Sequence, residues 1–274
     1  MLITGGAGLL GAALVRAAPD GIAVGVTVRN RPGPPGVDAH VVQLAEPRAF
    51  DALVGAVRPT LVIHTAYGRG DLERDVVAAT REVATACRAH DVALVHLSSD
   101  VIFDGEHGPY DELAGPSPVS PYGEAKATAE RFVASTVPSA AIVRTSLLVQ
   151  VVPPDPASEW VVEANRRGEP VTLFDDEYRC PVAVDDVAAG IWRIAALEDA
   201  DRQGVWHLVG SERLSRVELG ELLAIRFDLD RSLLRSAPSA SVPGPRPHDV
   251  VLTCERADAS IGWSPRRLRT VLEP

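Results

Sequence analysis

The sequence has no hydrophobic stretch long enough to cross a membrane. Nowhere does it approach the ~18 consecutive apolar residues that a spanning helix requires. Residues 9–15 are apolar, but no positively charged segment precedes them and Arg16 follows at once, which does not fit a signal peptide. We therefore expect a globular, cytoplasmic protein with no membrane partner.

Cysteine is also scarce. Cys87, Cys180 and Cys254 are widely separated and odd in number. This spacing predicts neither a disulfide framework, which needs pairs, nor a metal site, which needs clustered ligands. We expect reduced thiols and no bound metal.

Positive charge is in deficit. The 274 residues include 27 lysines and arginines against 37 aspartates and glutamates, which gives a formal net charge of −10. Such a surface repels nucleic-acid phosphates, so a nucleic-acid partner is excluded as a class. An anionic small substrate would instead have to meet locally placed arginines.

The first residues place a glycine-rich turn between a strand and a helix. A short apolar strand, residues 1–4, precedes glycines at three-residue spacing, and an apolar helix follows. In a dinucleotide-binding turn these glycines permit the tight turn, the approach of the pyrophosphate, and the packing of the helix on the sheet. The helix N-terminus then faces the phosphates. The predicted cofactor contacts here are Gly5, Gly8, Leu9, Leu10 and Gly11.

The second predicted strand, residues 22–28, ends in a basic loop. Sites specific for NAD usually place a carboxylate here to bind the ribose 2′-hydroxyl, whereas arginine accommodates a 2′-phosphate. Arg29, Asn30 and Arg31 follow the strand, and the next carboxylate is Asp38. The sequence therefore favours NADP(H) over NAD(H), with these three residues near the phosphate; the alternative is a basic loop that faces water.

A tyrosine and a lysine lie four residues apart in a predicted helix. Residues i and i+4 share one helix face, so Tyr122 and Lys126 would stand about one turn apart. A nearby ammonium favours the phenolate form of tyrosine, and a serine hydroxyl can hold a substrate oxygen. Ser99 supplies that hydroxyl at the carboxyl end of the fifth predicted strand, where doubly wound sheets bind ligands. These three residues could move a proton onto or off a carbonyl or alcohol.

The first half of the chain alternates apolar runs with helical patterns. This alternation predicts a Rossmann-type, doubly wound parallel sheet with helices on both faces, assigned to an NADP-binding domain at residues 1–150. Strands are predicted at residues 1–4, 22–28, 39–44, 60–65, 92–98 and 139–146, and helices at residues 9–17, 47–57, 71–90 and 121–136.

A proline-rich segment, residues 153–156, marks the predicted boundary. Residues 151–274 are assigned to a smaller C-terminal α/β domain that binds substrate, although some of its segments are expected to rejoin the main sheet. Residues 236–247 are interpreted as a loop. Helices are predicted at residues 157–167, 185–198, 215–227 and 255–262, and a strand at residues 205–209.

Taken together, these motifs resemble the extended short-chain dehydrogenase/reductase superfamily. Within it, the chain is most similar to the dTDP-4-dehydrorhamnose reductase family of nucleotide-sugar ketoreductases. The combination of Ser-Ser-Asp-x-x-Phe-Asp-Gly with Tyr-x-x-x-Lys is specific to this branch. The matching stretches are residues 4–11, 97–105, 108–112, 121–126, 143–146, 181–188, 204–208 and 246–247.

The resemblance implies an activity and a role for each residue of the proton-transfer set. The implied reaction is NADPH-dependent reduction of the 4-keto group of a nucleotide-linked deoxysugar. By position, Ser99 takes the place of the catalytic Ser/Thr and Tyr122 that of the general acid. Lys126 would bind the nicotinamide ribose and lower the pKa of the tyrosine. Two segments depart from the family pattern, residues 43–45 and 64–67, and both concern cofactor binding rather than proton transfer.

Further candidates complete the expected site. Ala66, Tyr67 and Thr145 follow predicted strands and could line the cofactor groove, together with Tyr122 and Lys126. Arg246, in an Arg-Pro pair, is the strongest candidate for gripping a substrate diphosphate by paired hydrogen bonds. The full predicted substrate set is Ser99, Asp100, Tyr122, Arg144, Arg179 and Arg246, in a monomer or homodimer.

Two other functions remain open from the sequence. One is a nucleotide-sugar epimerase or dehydratase of the same superfamily; such enzymes tend to hold NAD tightly, which Arg29 argues against. The other is a non-catalytic NADP-binding regulatory subunit, similar to the β subunit of methionine adenosyltransferase. The intact set of Ser99, Tyr122 and Lys126 favours an enzyme over such a subunit.

Overall fold

The computed structural model describes residues 1–273. The strands are β1 Leu2–Thr4, β2 Gly25–Val28, β3 Asp38–Val41, β4 Leu61–His64, β5 Ala93–Leu97, β6 Ala141–Thr145, β7 Leu148–Val149, β8 Val171–Phe174, β9 Tyr178–Arg179, β10 Val182–Ala183, β11 Gly204–Leu208, β12 Leu214–Ser215 and β13 Leu234–Ala237. The helices are α1 Leu9–Arg16, α2 Ala49–Val57, α3 Ala79–Ala89, α4 Pro121–Thr136, α5 Pro156–Arg166, α6 Val184–Ala195, α7 Asp199–Arg202, α8 Arg216–Phe227, α9 Glu255–Ile261 and α10 Leu268–Val271. A π-helical turn, Glu73–Ala78, leads into α3, and a 3₁₀ turn, Asp100–Ile102, follows β5.

Seven strands form one parallel sheet in the order β11-β6-β5-β4-β1-β2-β3. The order reverses beside β1, which pairs with β2 on one side and β4 on the other. Ligands of doubly wound sheets bind at this reversal, outside the carboxyl ends of the strands. The predicted Rossmann-type fold is therefore confirmed.

Apolar clusters cover both faces of the sheet. On one face α1 and α6 pack over buried side chains that include Ile3, Ile191 and Trp206. On the other, Phe50 of α2 and Val83 of α3 belong to a second buried cluster. Strands buried on both faces read as continuous apolar runs, which is why the sequence shows no alternation in them. Within residues 1–273 no helix combines the length and apolar composition needed to span a bilayer.

Segments beyond residue 151 contribute to both parts of the molecule. β11 lies at one edge of the main sheet, parallel to β6. Helix α6 is tied to α1 by a hydrogen bond from Trp192 Nε1 to the Leu14 carbonyl, 2.9 Å long. By contrast, α5, α8 and the parallel pair β8–β13 surround a separate apolar cluster with Leu173 and Leu223. The sequence reading did not predict β8 or β13.

Candidate active site

The glycine turn brings α1 close against the sheet. Gly5 has φ +73°, and a Cβ there would stand 2.9 Å from the Ala66 Cα. A Cβ on Gly11 would stand 2.2 Å from the Gly5 carbonyl oxygen. Gly8 is the N-cap of α1 and offers no side-chain cap, so the first N–H groups of the helix are left for a ligand. This cradle fits the pyrophosphate of a dinucleotide.

Hydrogen bonds fix the segment after β4 beside that turn. The Ala66 N–H donates to Thr4 Oγ1 at 3.2 Å, which seats Ala66 against the cradle. His64 shares hydrogen bonds with Thr4 Oγ1 at 2.7 Å and with Thr80 Oγ1 at 3.1 Å. Burial and the charge of Lys126 lower the pKa of His64 to about 3, so it is neutral and holds the strand ends together.

Ser99 is held by the buried carboxylate that follows it. Its Oγ donates to Asp100 Oδ1 at 3.2 Å, and Ser146 Oγ donates to Asp100 Oδ2 at 2.5 Å. Asp100 is 2% exposed, and burial raises its pKa. Because both carboxylate oxygens are engaged inside the protein, Asp100 is placed to orient Ser99 rather than to contact substrate.

Helix α4 presents Tyr122 and Lys126 to the same region. The helix begins after Ser120, whose Oγ accepts from the Gly123 N–H at 3.1 Å. A Cβ on Gly123 would stand 2.2 Å from the Val101 carbonyl oxygen, so this glycine lets the first turn of α4 pack on the 3₁₀ turn after Ser99. Lys126 is 6% exposed, and its Nζ donates to the carbonyl at the end of β5.

The positive group that faces Tyr122 is one that the sequence reading missed. The Arg69 guanidinium carbon lies 5.5 Å from the centroid of the Tyr122 ring, and the Tyr67 ring lies 6.0 Å from it. Burial raises the pKa of Tyr122, while the charge of Arg69 lowers it. Arg69 is the positive group that opposes the effect of burial on this pKa.

A profile of the family named RmlD substrate binding domain matches residues 1–274. The chain belongs to this family. It is 30% identical over 264 residues to the dTDP-4-keto-6-deoxy-D-glucose reductase of Streptomyces niveus, covering 92% of this chain and 87% of that protein. It is 27% identical over 277 residues to methionine adenosyltransferase 2 subunit beta of Danio rerio, covering 94% and 84% respectively. A hypothetical dTDP-4-dehydrorhamnose reductase from Sulfolobus tokodaii has a similar structure, with a TM-score of 0.79, 26% identity, and coverage of 94% and 93%.

These matches confirm the family predicted from the motifs. They also agree with the predicted class of enzyme, an oxidoreductase, because reductases stand among both the curated relatives and the solved structures. The relatives named methionine adenosyltransferase 2 subunit beta also match nearly the whole chain. Family membership therefore establishes the scaffold, while the assignment of an activity depends on the site.

In this RmlD-family chain, Arg144 does not reach a substrate. Its guanidinium is buried, with Nη2 donating to Glu130 Oε1 at 2.5 Å and Nη1 to the Ala114 carbonyl at 3.0 Å. One face lies over the Phe103 ring, 5.1 Å from its centroid. The predicted substrate contact is corrected: Arg144 ties β6 to α4 and to the loop before it, and only the folded contacts could show this.

Arg179 is also built into the protein rather than offered to a ligand. Its Nη1 donates to the Tyr178 carbonyl at 2.7 Å and its Nη2 to the Pro247 carbonyl at 2.9 Å. The side chain is 3% exposed and lies between Asp100 and Glu177. Its predicted substrate contact is likewise corrected: Arg179 fixes the segment that precedes His248, next to Arg246.

Thr145 is buried, and its hydroxyl bonds the neighbouring strand. Thr145 Oγ1 donates to the Leu208 carbonyl at 2.9 Å, which joins β6 to β11. The side chain is therefore occupied within the sheet. A cofactor could meet this residue through its backbone only.

Arg246, in contrast, faces a cavity. Its side chain is 42% exposed, with Nη1 3.6 Å from Glu177 Oε2 and its guanidinium carbon 5.1 Å from the Phe174 ring centroid. The cavity measures about 380 Å³ and is also lined by Trp160 and Arg216. Arg216 donates to Glu177 Oε1 at 2.9 Å. Sequence reading missed all of these partners, because single residues on separate elements give no local signal.

Glu177 lies at the base of this cavity. It is 2% exposed, and its Oε2 has no hydrogen-bond partner among the described residues. Three arginines surround the carboxylate: Arg179, Arg216 and Arg246. The carboxylate holds two of them at the cavity wall and leaves one oxygen able to accept a hydrogen bond from a ligand.

Proposed function

We propose that this chain reduces the 4-keto group of a nucleotide-linked deoxysugar with NADPH. The observation that carries the proposal is the packing of Gly123 on the Val101 carbonyl oxygen, which brings the first turn of α4, where Tyr122 lies, against the turn that follows Ser99. The glycine cradle lies at the same edge, at the reversal of strand order. The name of the Streptomyces niveus relative supports a ketosugar as substrate.

Each side chain has a separate task in the proposed reaction. The nicotinamide, when bound, supplies a hydride to the carbonyl carbon. Tyr122 donates its phenolic proton to the carbonyl oxygen as that oxygen gains negative charge. Ser99 turns its hydroxyl proton from Asp100 to the same oxygen when substrate binds, and Lys126 would hold the cofactor ribose. Burial raises the pKa of Tyr122, so the phenol holds its proton until the substrate oxygen takes it, and the charge of Arg69 opposes part of that rise.

The cavity beside Arg246 is the proposed place of the nucleotide. Arg216 and Arg246 meet a diphosphate from one side, since guanidinium groups bind phosphate by paired hydrogen bonds. Trp160, which is 53% exposed, and Phe174 supply flat apolar surface for a base. Local arginines thus compensate for the negative charge of the whole chain, which is −10.

Replacement of the proton donor tests the proposal. Tyr122→Phe should still bind NADPH but lose reduction of dTDP-4-keto-6-deoxyglucose by about 10²- to 10⁴-fold, the usual contribution of a general acid. NADPH oxidation measures turnover, and fluorescence titration measures binding. Tyr178→Phe is the matched control, because it removes the same hydroxyl group from a tyrosine of β9 that is given no proton to transfer. Unchanged ketosugar reduction by Tyr122→Phe would contradict the assignment.

A second candidate function is favoured by a different relative. The likeness to methionine adenosyltransferase 2 subunit beta covers 94% of this chain, so a regulatory subunit that binds NADP without turnover is the alternative. It predicts co-purification with a synthetase and no NADPH oxidation with any ketosugar. The reductase predicts the opposite result in both assays.

A further inference from the structure

A carboxylate lies at the end of β2, although none follows that strand in the sequence. Arg29 comes directly after β2, and its Nη1 lies 3.2 Å from Asp75 Oδ2. Asp75 belongs to the π-helical turn after β4, far from Arg29 in the chain. A carboxylate at this position is typical of sites that bind NAD, and its absence favours NADP. The fold supplies one from another element.

Asp75 is fixed in place and ionised. Arg74 Nε donates to Asp75 Oδ1 at 2.7 Å, and Arg74 Nη2 donates to Oδ2 at 3.1 Å. These hydrogen bonds, and then the contact with Arg29, lower the pKa of Asp75. The carboxylate side chain is 10% exposed, whereas the Arg29 side chain is 48% exposed. Arg29 thus keeps donors open to solvent while Asp75 anchors one end of its guanidinium.

The pair borders the cofactor cradle. The Gly6 N–H donates to the Thr27 carbonyl at 2.9 Å, so β2 is joined to the glycine turn two residues before Arg29. A Cβ on Gly68 would stand 2.4 Å from Asp75 Oδ2, so the loop that carries Ala66 also touches this carboxylate. A dinucleotide whose pyrophosphate lies in the cradle places its adenosine ribose at the end of the second strand.

We propose that Asp75 and Arg29 together set the choice between NADP and NAD. Arg29 binds the 2′-phosphate of NADP, and Asp75 accepts a hydrogen bond from the free 2′-hydroxyl of NAD. The negative carboxylate repels the 2′-phosphate, which carries about −1.5 to −2 charges at neutral pH, and so limits the preference for NADP that the arginine creates. The inference rests on the proposed function only in that a nicotinamide dinucleotide binds; it needs no ketosugar.

Dissociation constants of the full-length chain for NADPH and NADH test the pair. Asp75→Asn removes the charge but keeps the shape, and should raise the NADPH-to-NADH affinity ratio about tenfold, as expected when one interaction of a charged group with the ribose 2′ position is lost. Arg29→Met should lower the ratio about tenfold or more for the same reason. Nicotinamide fluorescence gives both constants without any turnover.

Glu73→Gln is the matched control. It removes the same charge from the same turn, and Glu73 is exposed and forms no ion pair within residues 1–273. Its affinity ratio should match the wild type. Equal effects of Glu73→Gln and Asp75→Asn would overturn the proposal, because the effect would then be one of net charge.

Four further outcomes test the pair and the reductase separately. An unchanged ratio in Arg29→Met would overturn the role of the pair, and a loss in Arg31→Met instead would move the phosphate contact to that residue. Failure to bind either dinucleotide would refute both this inference and the reductase. Binding with the expected ratios but no ketosugar reduction would refute the reductase alone.

Discussion

Lys126 carries its charge in a place where that charge is unfavourable. It is the only lysine in a sequence that otherwise uses arginine for positive charge. Burial lowers its pKa to about 8, and only Glu130 acts in the opposite direction. Arginine does not lose its proton in proteins, whereas a lysine can be tuned by its surroundings. The site therefore uses a compact ammonium at a cost in stability.

Lys126→Met should stabilise the protein at pH 7 while it removes activity. The folded pKa is below the unfolded value of about 10.4, so the charged lysine destabilises the fold by on the order of 3 kcal/mol below pH 8. Leaving the Leu97 carbonyl without its donor offsets about 1 kcal/mol, so we expect a net gain of about 1–2 kcal/mol.

Urea denaturation measures the free energy of unfolding of both proteins. Because the unfolded lysine holds its proton more tightly, the wild type gains stability as pH rises from 8 towards 10. The advantage of Lys126→Met should therefore be largest at or below pH 7 and shrink by pH 10. A variant less stable than the wild type at pH 7 would contradict this account of burial.

At the scale of elements, the sequence predicts the helices and strands that are specified by their own residues. Helix α4 has the predicted bounds, 121–136, because Ser120 caps it and Pro121 begins it. The buried strands of the main sheet are predicted from continuous apolar runs in the sequence. Strands β8 and β13 are not, since each is short and is paired with a partner far away in the chain.

The roles of several charged residues at the site depend on their side-chain partners, which the sequence does not show. Arg144 and Arg246 are the same type of residue in the sequence. In the structure, Arg144 is buried against Glu130, whereas Arg246 is partly exposed at a cavity. Asp75 and Arg69 act on residues of other elements, so no spacing in the chain points to them. Local sequence patterns predict the glycine cradle and the helix with Tyr122 and Lys126. Contacts between distant segments determine which charged side chains remain available to a ligand.

The glycine cradle allows a prediction about an element rather than a single contact. Gly11→Ala would place a Cβ 2.2 Å from the Gly5 carbonyl oxygen, so α1 must move away from the turn. Overpacking of this kind costs about 1–3 kcal/mol, and the shift should also weaken NADPH binding. Thermal unfolding and fluorescence titration measure the two effects. Gly115→Ala, with no atom within 4 Å of its added Cβ, should leave both unchanged.

At the scale of the whole molecule, the segment that follows Ser99 is connected to the cavity beside Arg246. Gly105 has φ +80°, and its carbonyl accepts from the Asp249 N–H at 3.2 Å. The Tyr110 N–H donates to the Val251 carbonyl at 2.8 Å, which is a second link to the same segment. That segment follows Arg246 directly. The conformation after Ser99 thus supports the position of an arginine that lies far away in the chain.

Asp104 stabilises the bend that makes this connection. Tyr110 donates its hydroxyl proton to the Asp104 carboxylate, and the Glu106 N–H donates at 2.9 Å. Burial acts to raise the pKa of Asp104, but these hydrogen bonds lower it on balance. The bend therefore stays charged and ordered at neutral pH. Gly105, the last residue of this bend, has a left-handed backbone conformation and no room for a side chain.

Gly105→Ala should separate substrate binding from cofactor binding. An added Cβ would stand 2.6 Å from the His248 backbone nitrogen, and φ +80° is strained for alanine, so residues 247–249 must shift and carry Arg246 with them. The glycine cradle lies on other elements. We therefore expect KM for the nucleotide sugar to rise about tenfold or more, with the NADPH dissociation constant within about twofold of wild type.

Arg246→Met is the reference for that comparison, because it removes the same guanidinium without a change in the bend. It should reproduce the rise in KM of Gly105→Ala, and the double variant should be little worse than either single one, as expected for two changes that act through one group. Additive effects, or a loss of NADPH affinity in Gly105→Ala with KM unchanged, would show that the bend serves the cofactor side instead.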